Sequence, residues 1–340
     1  MKHTICIMAG GGGTRLYPLS QTEEGKLPKQ FLSVIKGNTL LQKAIARISE
    51  SYDVVVIPEE RYSKVVIEQA EAISRSVELI DEPFGCNTAA AILYTAALQQ
   101  DPQRVLCFIP ADHEMDTDVF RELIDRAVAV AEKEDRMVTL GIKPTKPETN
   151  YGYIKIVEGQ SDKSTCEVER FVEKPDSKRA AAYLEDGGYY WNAGIFAAKA
   201  SVFIESAQAV CPDILAPLLK AADPSDPMTQ TDAYTSLKSQ KLNKSIDYAL
   251  MEKIADSILL IPAPVELLWN DLGNWESLRA YMSLDESENA VFEDNVTFEN
   301  SHGMTVCNYT DLPVVVKGME KVLVVVTDQG VLIRPIDEDI

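Results

Sequence analysis

Residue types suited to phosphate binding are concentrated near the amino terminus. Four glycines at 10–13 follow the short apolar run Thr4–Met8, and Thr14, Arg15 and Lys29 come after them. Glycine lets backbone N–H groups approach a ligand closely, and successive N–H groups form anion-binding nests. A guanidinium can bind two phosphate oxygens, and an ammonium acts as a point charge. The stretch therefore suits a phosphate, although a glycine-rich turn after a first strand is as often only a turn.

Two common phosphate motifs do not fit this stretch. No Gly-Lys-Ser/Thr closes it, so it is not a P-loop. Arg15 and Leu16 stand where the third glycine of a dinucleotide-binding fingerprint would fall. The glycine run therefore calls for a different class of phosphate-binding protein.

Carboxylates follow predicted strands further along the chain. Asp112 stands in Pro-Ala-Asp-His directly after the apolar run 105–109, and Glu82 follows the short strand predicted at 77–80. A carboxylate at the end of a buried strand can hold Mg²⁺ against a nucleotide, but Asp is equally favoured as a helix N-cap. Asp271 lies in a glycine-containing turn between two tryptophans, a setting that alone is more often structural.

Three later strings contain polar groups suited to a sugar phosphate. They are Tyr-Gly-Tyr-Ile at 151–154, Glu173-Lys174 before Pro175, and the string Trp-Asn-Ala-Gly-Ile-Phe at 191–196. A Glu-Lys pair is usually a solvated surface pair. Adjacent strand residues face opposite ways, so both can meet one ligand only if the strand ends there, which Pro175 favours.

The elements that must position these residues alternate between apolar strands and amphipathic helices up to about residue 141. This alternation predicts an α/β fold with a Rossmann-like, mostly parallel sheet and helices on both faces. In such sheets ligands bind beyond the carboxyl ends of the strands, so the glycine loop, Glu82 and Asp112 are expected along one rim. Short strands and turns fill 151–191, helices return between 199 and 282, and the chain is β-rich from 290. We predict a catalytic domain at 1–285 and a small β-rich C-terminal domain at 290–340.

Composition limits the classes of partner. The chain has 340 residues and a net charge of −20, which argues against nucleic acid or an anionic membrane surface as a partner. No window approaches the length of a membrane span, and the amino terminus lacks the apolar stretch of a signal peptide. Six cysteines occur singly, so zinc and redox motifs are not expected, and Cys6 and Cys107 are predicted core thiols. These features fit the cytoplasm, and the oligomeric state is left open, with a homodimer as one option.

Taken together, the strings resemble the sugar-1-phosphate nucleotidyltransferases. Residues 9–31 read AGGGGTRLYPLSQTEEGKLPKQF, and the final PKQF resembles the mannose-1-phosphate guanylyltransferases (GDP-mannose pyrophosphorylases) within that family. The departures here are mild, since the family usually has Ser at Gly12, Trp or Phe at Tyr17 and Arg at Gln21. Seven motifs follow the family's order from about residue 4 to residue 275. The resemblance implies a nucleotidyltransferase fold, often with a small left-handed β-helix at the carboxyl end, although no clean hexapeptide period is visible there.

The resemblance also implies an activity and residue roles. The activity is transfer of GMP from GTP to mannose 1-phosphate, giving GDP-mannose and pyrophosphate, with Mg²⁺ as cofactor. Arg15 would neutralise pyrophosphate, Lys29 would bridge phosphate oxygens, and Lys174 would bind the sugar phosphate. The implied residues are catalytic Arg15, Lys29, Asp112 and Asp271, with both aspartates as metal ligands; nucleotide-binding Ala9, Gly10, Gly11, Gly12, Gly13, Thr14, Glu82, Asn87 and Thr88; and sugar-phosphate-binding Gly152, Glu173, Lys174 and Asn192.

One departure concerns the loop at 82–89, which resembles the family's base-binding loop. The family usually has Arg or Lys where Cys86 stands, so we expect a missing cation beside the nucleotide, with Lys143 or Lys146 as compensating neighbours. The alternative is that the family's cation only pairs with a surface acid. Asn87 and Thr88 could instead cap the following helix.

Two other functions remain open at this point. A sister enzyme could use another sugar 1-phosphate or another base. A catalytically silent, nucleotide-binding regulatory subunit is a different class, against which the intact Arg15, Lys29, Asp112 and Asp271 argue.

Overall fold

The computed structural model describes residues 2–11, 16–20, 27–35, 37–279, 281–292 and 295–336. The chain divides into two compact units, each assembled from separate segments. The large unit comprises Met1–Gly10, Ala44–Ala111 and Met115–Trp269, and the small unit comprises Gly11–Lys43, Asp112–Glu114 and Asn270–Ile340. Both units are discontinuous in sequence, so their limits differ from the predicted domains at 1–285 and 290–340. That domain division stays a prediction.

A mixed sheet forms the centre of the large unit. Within the described residues it has nine strands in the order β3-β2-β1-β4-β8-β5-β9-β7-β6, and all but β7 and β8 run in one direction. The strands are β1 (Thr4–Met8), β2 (Asp53–Ile57), β3 (Glu78–Leu79), β4 (Val105–Pro110), β5 (Met137–Ile142), β6 (Tyr153–Ile156), β7 (Cys166–Val172), β8 (Tyr189–Lys199) and β9 (Ile258–Pro262).

Helices cover both faces of this sheet, as predicted. Successive strand residues point to opposite faces. Cys6 of β1 belongs to an apolar cluster with α3 and α6, whereas Ile5 lies with Phe120 and Ile124 of α4. The helices of the large unit, together with α1 at its border, are α1 (Leu40–Arg47), α2 (Ser63–Ala72), α3 (Thr88–Ala97), α4 (Thr117–Glu134), α5 (Ser177–Asp186), α6 (Ala200–Val210), α7 (Pro212–Ala222), α8 (Gln230–Ser239) and α9 (Ile246–Ala249).

Strand β8 is the main departure from simple alternation. It inserts between β4 and β5 and is antiparallel to both. Hydrophobic periodicity shows that a segment is buried but gives neither its partners nor its direction, so this insertion could not be predicted. The insertion of β8, together with the antiparallel β7, makes the sheet mixed while seven described strands still run in one direction.

The small unit has its own apolar core and the β-rich carboxyl-terminal region. Strands β10, β12 and β14 pair in parallel and β15 adds antiparallel, while β11 and β13 form a second parallel pair. From β10 to β14 successive strands therefore alternate between two sheets, a coiled arrangement whose handedness stays a prediction. The elements are α10 (Trp275–Arg279), β10 (Ala290–Phe292), β11 (Val296–Glu299), β12 (Thr305–Asn308), β13 (Val314–Lys317), β14 (Val322–Thr327) and β15 (Gly330–Pro335).

Two predictions from composition can be compared with the structure. Cys6 and Cys107 are fully buried core thiols, as predicted. In the described part of the chain, no helix combines the length and apolarity needed to cross a membrane.

Candidate active site

Lys29 links the two predicted metal ligands. It lies in a 3-10 turn, Lys29–Phe31, directly after Pro28, and is only 4% exposed. Its ammonium lies 2.7 Å from Oδ2 of Asp112 and donates to the backbone oxygens of Asp271 at 2.7 Å and Leu272 at 3.2 Å. These contacts use all three N–H donors of the ammonium. Asp112 and the Asp271 segment, 159 positions apart in the chain, are therefore brought together by one cation.

Asp112 is ionised in this setting. Burial opposes ionisation, but the ammonium of Lys29 and the imidazole of His113 outweigh it and hold the pKa of Asp112 below its usual range. Nε2 of His113 lies 3.8 Å from Oδ1, so His113 braces the loop. The neighbouring Asp116, rather than Asp112, accepts from the first N–H groups of α4. The capping alternative for Asp112 is therefore wrong.

Asp271 is fixed by its own turn. Its Oδ1 accepts from the Gly273 N–H at 3.1 Å, and a Cβ at Gly273 would lie 2.6 Å from Oδ2. Leu272 between them has φ of 47°, a left-handed conformation that turns the chain sharply. Among the described residues no group of three or more His, Cys, Asp or Glu could hold a metal. Magnesium needs only one or two protein carboxylates besides phosphate oxygens and water, so the donor set of Asp112 and Asp271 fits it.

Glu82 is buried beside the start of the glycine loop. Its side chain is 5% exposed, and a Cβ on Gly10 would lie well inside contact distance of Oε2. Oε1 finds no hydrogen-bond partner of normal geometry among the described residues. Burial raises the pKa of Glu82 to about 8, opposed by hydrogen bonding from Tyr234 and reinforced by the charge of Glu59. The structure therefore brings Gly10 and Glu82 together, as the rim prediction requires, with one carboxyl oxygen unsatisfied.

The raised pKa of Glu82 predicts a pH-dependent stability. Between about pH 4.5 and pH 8 the unfolded chain releases this proton and the folded chain keeps it, so stability falls as pH rises through this range. In Glu82→Gln this loss should be absent, so relative to wild type the variant should gain up to about 1.4 kcal/mol per pH unit. Urea denaturation of both proteins at pH 5, 6.5 and 8 measures the difference. A constant difference across this range would contradict a buried, proton-retaining Glu82.

The predicted nucleotide-binding residues Ala9, Asn87 and Thr88 each make a hydrogen bond within the protein. Ala9 is buried and donates its N–H to Ile57 at 2.9 Å. The side chain of Asn87 caps α3 by accepting from the Thr88 N–H, and its φ of 68° is strained for a residue other than glycine. The Thr88 hydroxyl accepts from the Ile246 N–H at 2.8 Å. The capping alternative holds for Asn87, and nucleotide contacts for both residues stay predictions.

The rest of the glycine run is only partly described. Gly11 accepts through its backbone oxygen from Nε2 of Gln30 at 2.8 Å. The predicted binding residues Gly12, Gly13, Thr14 and Arg15 lie outside the described residues.

The expectation that Cys86 marks a missing cation beside the nucleotide is wrong, because its side chain is buried in the core. Cys86 is 1% exposed and packs in the core, with Sγ 3.9 Å from the backbone oxygen of Tyr234. Neither proposed compensating lysine faces it, since Lys143 lies over the Tyr190 ring and Lys146 pairs with Glu148. The nearby cation is instead a lysine of α8, described below.

The sugar-phosphate candidates form a second cluster in the large unit. Strand β7 ends before Glu173, and Lys174, with φ of 46°, turns so that its ammonium lies 3.5 Å from Oε1 of Glu173. A Cβ on Gly152 would lie 2.6 Å from Oε2 of Glu173 and 3.3 Å from Cβ of Asn192. Nδ2 of Asn192 donates to Asp247 at 2.9 Å. All four predicted residues therefore meet, and a side chain at position 152 would displace the Glu173 carboxyl from its present position.

Sequence reasoning missed one acid of this cluster. Glu252 accepts from the Glu173 N–H at 2.9 Å. Burial and the nearby Asp247 raise the pKa of Glu173 to about 7, and burial also raises the pKa of Asp247. Glu252 follows α9 by only a few residues. The two acids Asp247 and Glu252, close together in the sequence, were the feature from which this part of the cluster could have been predicted.

The aromatic wall beside this cluster is built by Tyr151. Its ring makes edge contacts with Trp191 and Trp269, each at a centroid distance of 5.2 Å. Trp191 directly precedes Asn192 on β8, so this packing fixes the strand that carries the amide.

Comparison with known proteins is consistent with this geometry. Residues 5–288 match the nucleotidyl transferase family, and the chain belongs to it. Over 96% of its length it is 36% identical to the xanthan biosynthesis protein XanB of Xanthomonas campestris pv. campestris (strain B100) and 36% identical to the mannose-1-phosphate guanylyltransferase of Escherichia coli K12, spanning 69% of each.

A solved structure also covers nearly the whole chain. It is a Thermus thermophilus protein described as a mannose-1-phosphate geranyltransferase, 30% identical, with a TM-score of 0.84 over 99% of this chain and 96% of that one. The predicted nucleotidyltransferase fold is confirmed.

Proposed function

We propose that the protein transfers GMP from GTP to mannose 1-phosphate, giving GDP-mannose and pyrophosphate. The activity follows from the relatives named mannose-1-phosphate guanylyltransferase. The observation that carries the site assignment is the Lys29 ammonium, which ties Asp112 to the Asp271 segment.

The transfer reaction requires that the two substrates are positioned correctly and that the negative charge of their phosphates is neutralised. A sugar phosphate is already a nucleophile at neutral pH, so the reaction needs no strong base. Asp112 and Asp271 would hold Mg²⁺, which when bound neutralises charge on the phosphates and orients the reacting α-phosphate. Because the Lys29 ammonium already binds the Asp112 carboxylate and the backbone oxygens of Asp271 and Leu272, its first task is to hold these two segments together. A contact of Lys29 with phosphate would require it to leave one of its present acceptors.

Base selection is assigned to Glu82. Guanine presents an N–H and an exocyclic amino group on one edge, and an ionised carboxylate can accept from both. The unsatisfied Oε1 and the close approach of Gly10 support this assignment. Adenine lacks this pair of donors, which would leave the buried acid without partners.

Sugar-phosphate binding is assigned to Lys174 and its neighbours. Lys174 is about half exposed and carries the positive charge of a cluster with three acids. Glu173 and Asn192 offer acceptors and donors for sugar hydroxyls. The acids of this cluster suit hydroxyl recognition, and Lys174 suits the phosphate.

Lys174→Ala should raise KM for mannose 1-phosphate about tenfold, the value of one charge-assisted contact, and leave KM for GTP nearly unchanged. Steady-state kinetics with each substrate varied in turn measures both constants. Lys178→Ala, an exposed lysine in α5, is the matched control. Loss of GTP affinity in the Lys174 variant would reassign this lysine to the nucleotide.

The proposed function itself is tested by pyrophosphate release. The purified chain is incubated with mannose 1-phosphate and each of the four common nucleoside triphosphates in the presence of Mg²⁺, with product identified by mass. GDP-mannose as the main product is expected. Release with another sugar phosphate or base would indicate a sister enzyme, and no release with any pair would favour a silent regulatory subunit.

A further inference from the structure

Helix α8 presents a row of polar side chains to the loop that follows β3. Gln230, Tyr234 and Lys238 are spaced by four residues, which places them on one face of the helix. Nε2 of Gln230 donates to the backbone oxygen of Asp81 at 2.8 Å, and the Lys238 ammonium lies 4.3 Å from the Phe84 ring centroid. The helix is therefore attached at both ends to the loop that carries Glu82.

Tyr234 occupies the middle of this row and is completely buried. Its ring makes edge contacts with Phe84 at 6.0 Å and Tyr94 at 6.4 Å between centroids. Two perpendicular aromatic contacts fix the plane of a ring, so the hydroxyl has little freedom to move.

Within the described part of the chain, the hydroxyl of Tyr234 and Oε1 of Glu82 are both buried without a hydrogen-bond partner of normal geometry. They are near enough to interact, since burial, then the charge of Glu82 and a hydrogen bond to it raise the pKa of Tyr234, while Gln230 opposes this rise. Buried polar groups whose hydrogen bonds are poorly formed are costly, so the Tyr234 hydroxyl and the Glu82 carboxyl both gain if their contact improves.

We propose that Tyr234 is a positioning residue for base selection, whose hydroxyl donates to the Glu82 carboxylate when that carboxylate accepts the N–H edge of the base. This inference rests on the proposed function, because it assigns a purine with two adjacent N–H donors to the Glu82 pocket. The residue touches Glu82 and acts on the base only through it.

The proton balance makes the proposal specific. To accept two N–H groups, Glu82 must release its own proton to solvent, and the Tyr234 O–H, which keeps its proton, then donates a hydrogen bond to the carboxylate. The other ionisable groups facing Glu82 are Glu59, which opposes ionisation, and the thiol of Cys86. Lys238 acts on the thiol of Cys86, whose pKa its charge lowers against the effect of burial. Without the Tyr234 hydroxyl, ionisation of Glu82 should therefore require a higher pH.

The experiment compares Tyr234→Phe with Tyr94→Phe, which removes a hydroxyl from the same aromatic cluster. KM for GTP is measured from pH 6.5 to pH 9 in both variants and in wild type. At pH 7, Tyr234→Phe should raise KM for GTP about tenfold, the value of one hydrogen bond to a charged group. The increase should shrink toward pH 9, where Glu82 ionises unaided, while KM for mannose 1-phosphate and the Tyr94→Phe constants stay near wild type.

A pH-independent increase in Tyr234→Phe would indicate a packing role only and would overturn the proposal, as would a wild-type KM. Addition of Glu82→Gln should abolish the pH dependence in the double variant. These outcomes are separate from failure of the proposed function, because that failure would appear in wild type as absence of GDP-mannose formation from GTP.

Discussion

Asp271→Asn is expected to lower kcat at least ~10²-fold, comparable with losing one strong transition-state contact, while the fold stays intact. Asparagine keeps an oxygen that can accept from the Gly273 N–H, and the backbone oxygen that binds Lys29 is unaltered. The substitution therefore removes charge and little else. Asp112 should remain in place because Lys29 still binds it.

Kinetics and thermal unfolding together measure this effect. We expect Mg²⁺ and GTP together to raise the Tm of wild type, since ligands stabilise the state they bind, and this increase should be much smaller in Asp271→Asn. Asp118→Asn, in the first turn of α4, makes the same change at a well-exposed side chain and serves as control. A kcat within a few-fold of wild type and an unchanged Mg²⁺ response would remove Asp271 from the site.

Gly10→Ala is expected to raise KM for GTP ~10- to 100-fold, the cost of misplacing one buried polar contact. The new Cβ would overlap with Oε2 of Glu82, so this buried carboxyl would have to rotate out of its present position. The displaced group would be the one assigned to the base, so discrimination between GTP and ATP should fall as well.

A double-mutant cycle isolates the contact behind this prediction. Glu82→Asp shortens the side chain by one methylene, so the Gly10→Ala penalty should be much smaller in that background. Full additivity of the two substitutions would mean that the alanine acts through another contact, such as the backbone of the loop.

The sequence predicts the elements of this fold better than their partners. Strand β1 has the bounds of the apolar run Thr4–Met8, because a run this short before a glycine turn favours a buried strand over a helix. The pairing of β8 between β4 and β5 depends on contacts over long separations in sequence, which no local pattern contains. The burial of Cys86 was missed for the same reason, since the helix that covers it lies almost 150 positions later.

The candidate site shows the same limit. Glycine spacing and strand-end carboxylates pointed to Gly10, Glu82 and Asp112, but the relation of Asp112 to Asp271 came from family resemblance and not from spacing. Tyr234 and Lys238 were missed because a tyrosine and a lysine on an amphipathic helix carry no signal until the packing of that helix is known. Glu252 was missed because a single acid gives no signal of which strand end it contacts.

The Lys29 contacts have a consequence for synthesis of the protein. Lys29 binds backbone oxygens 242 and 243 positions later, and Leu16, Val34 and Leu40 share an apolar core with residues as late as Leu323 and Val325. A nascent chain therefore exposes its amino-terminal segment on the ribosome until nearly all residues have emerged, because loops of this length close late. If translation stalls before residue 271, Lys29 and Asp112 lack the Asp271 segment that Lys29 binds in the complete chain. Such incomplete products should not be able to turn over GTP.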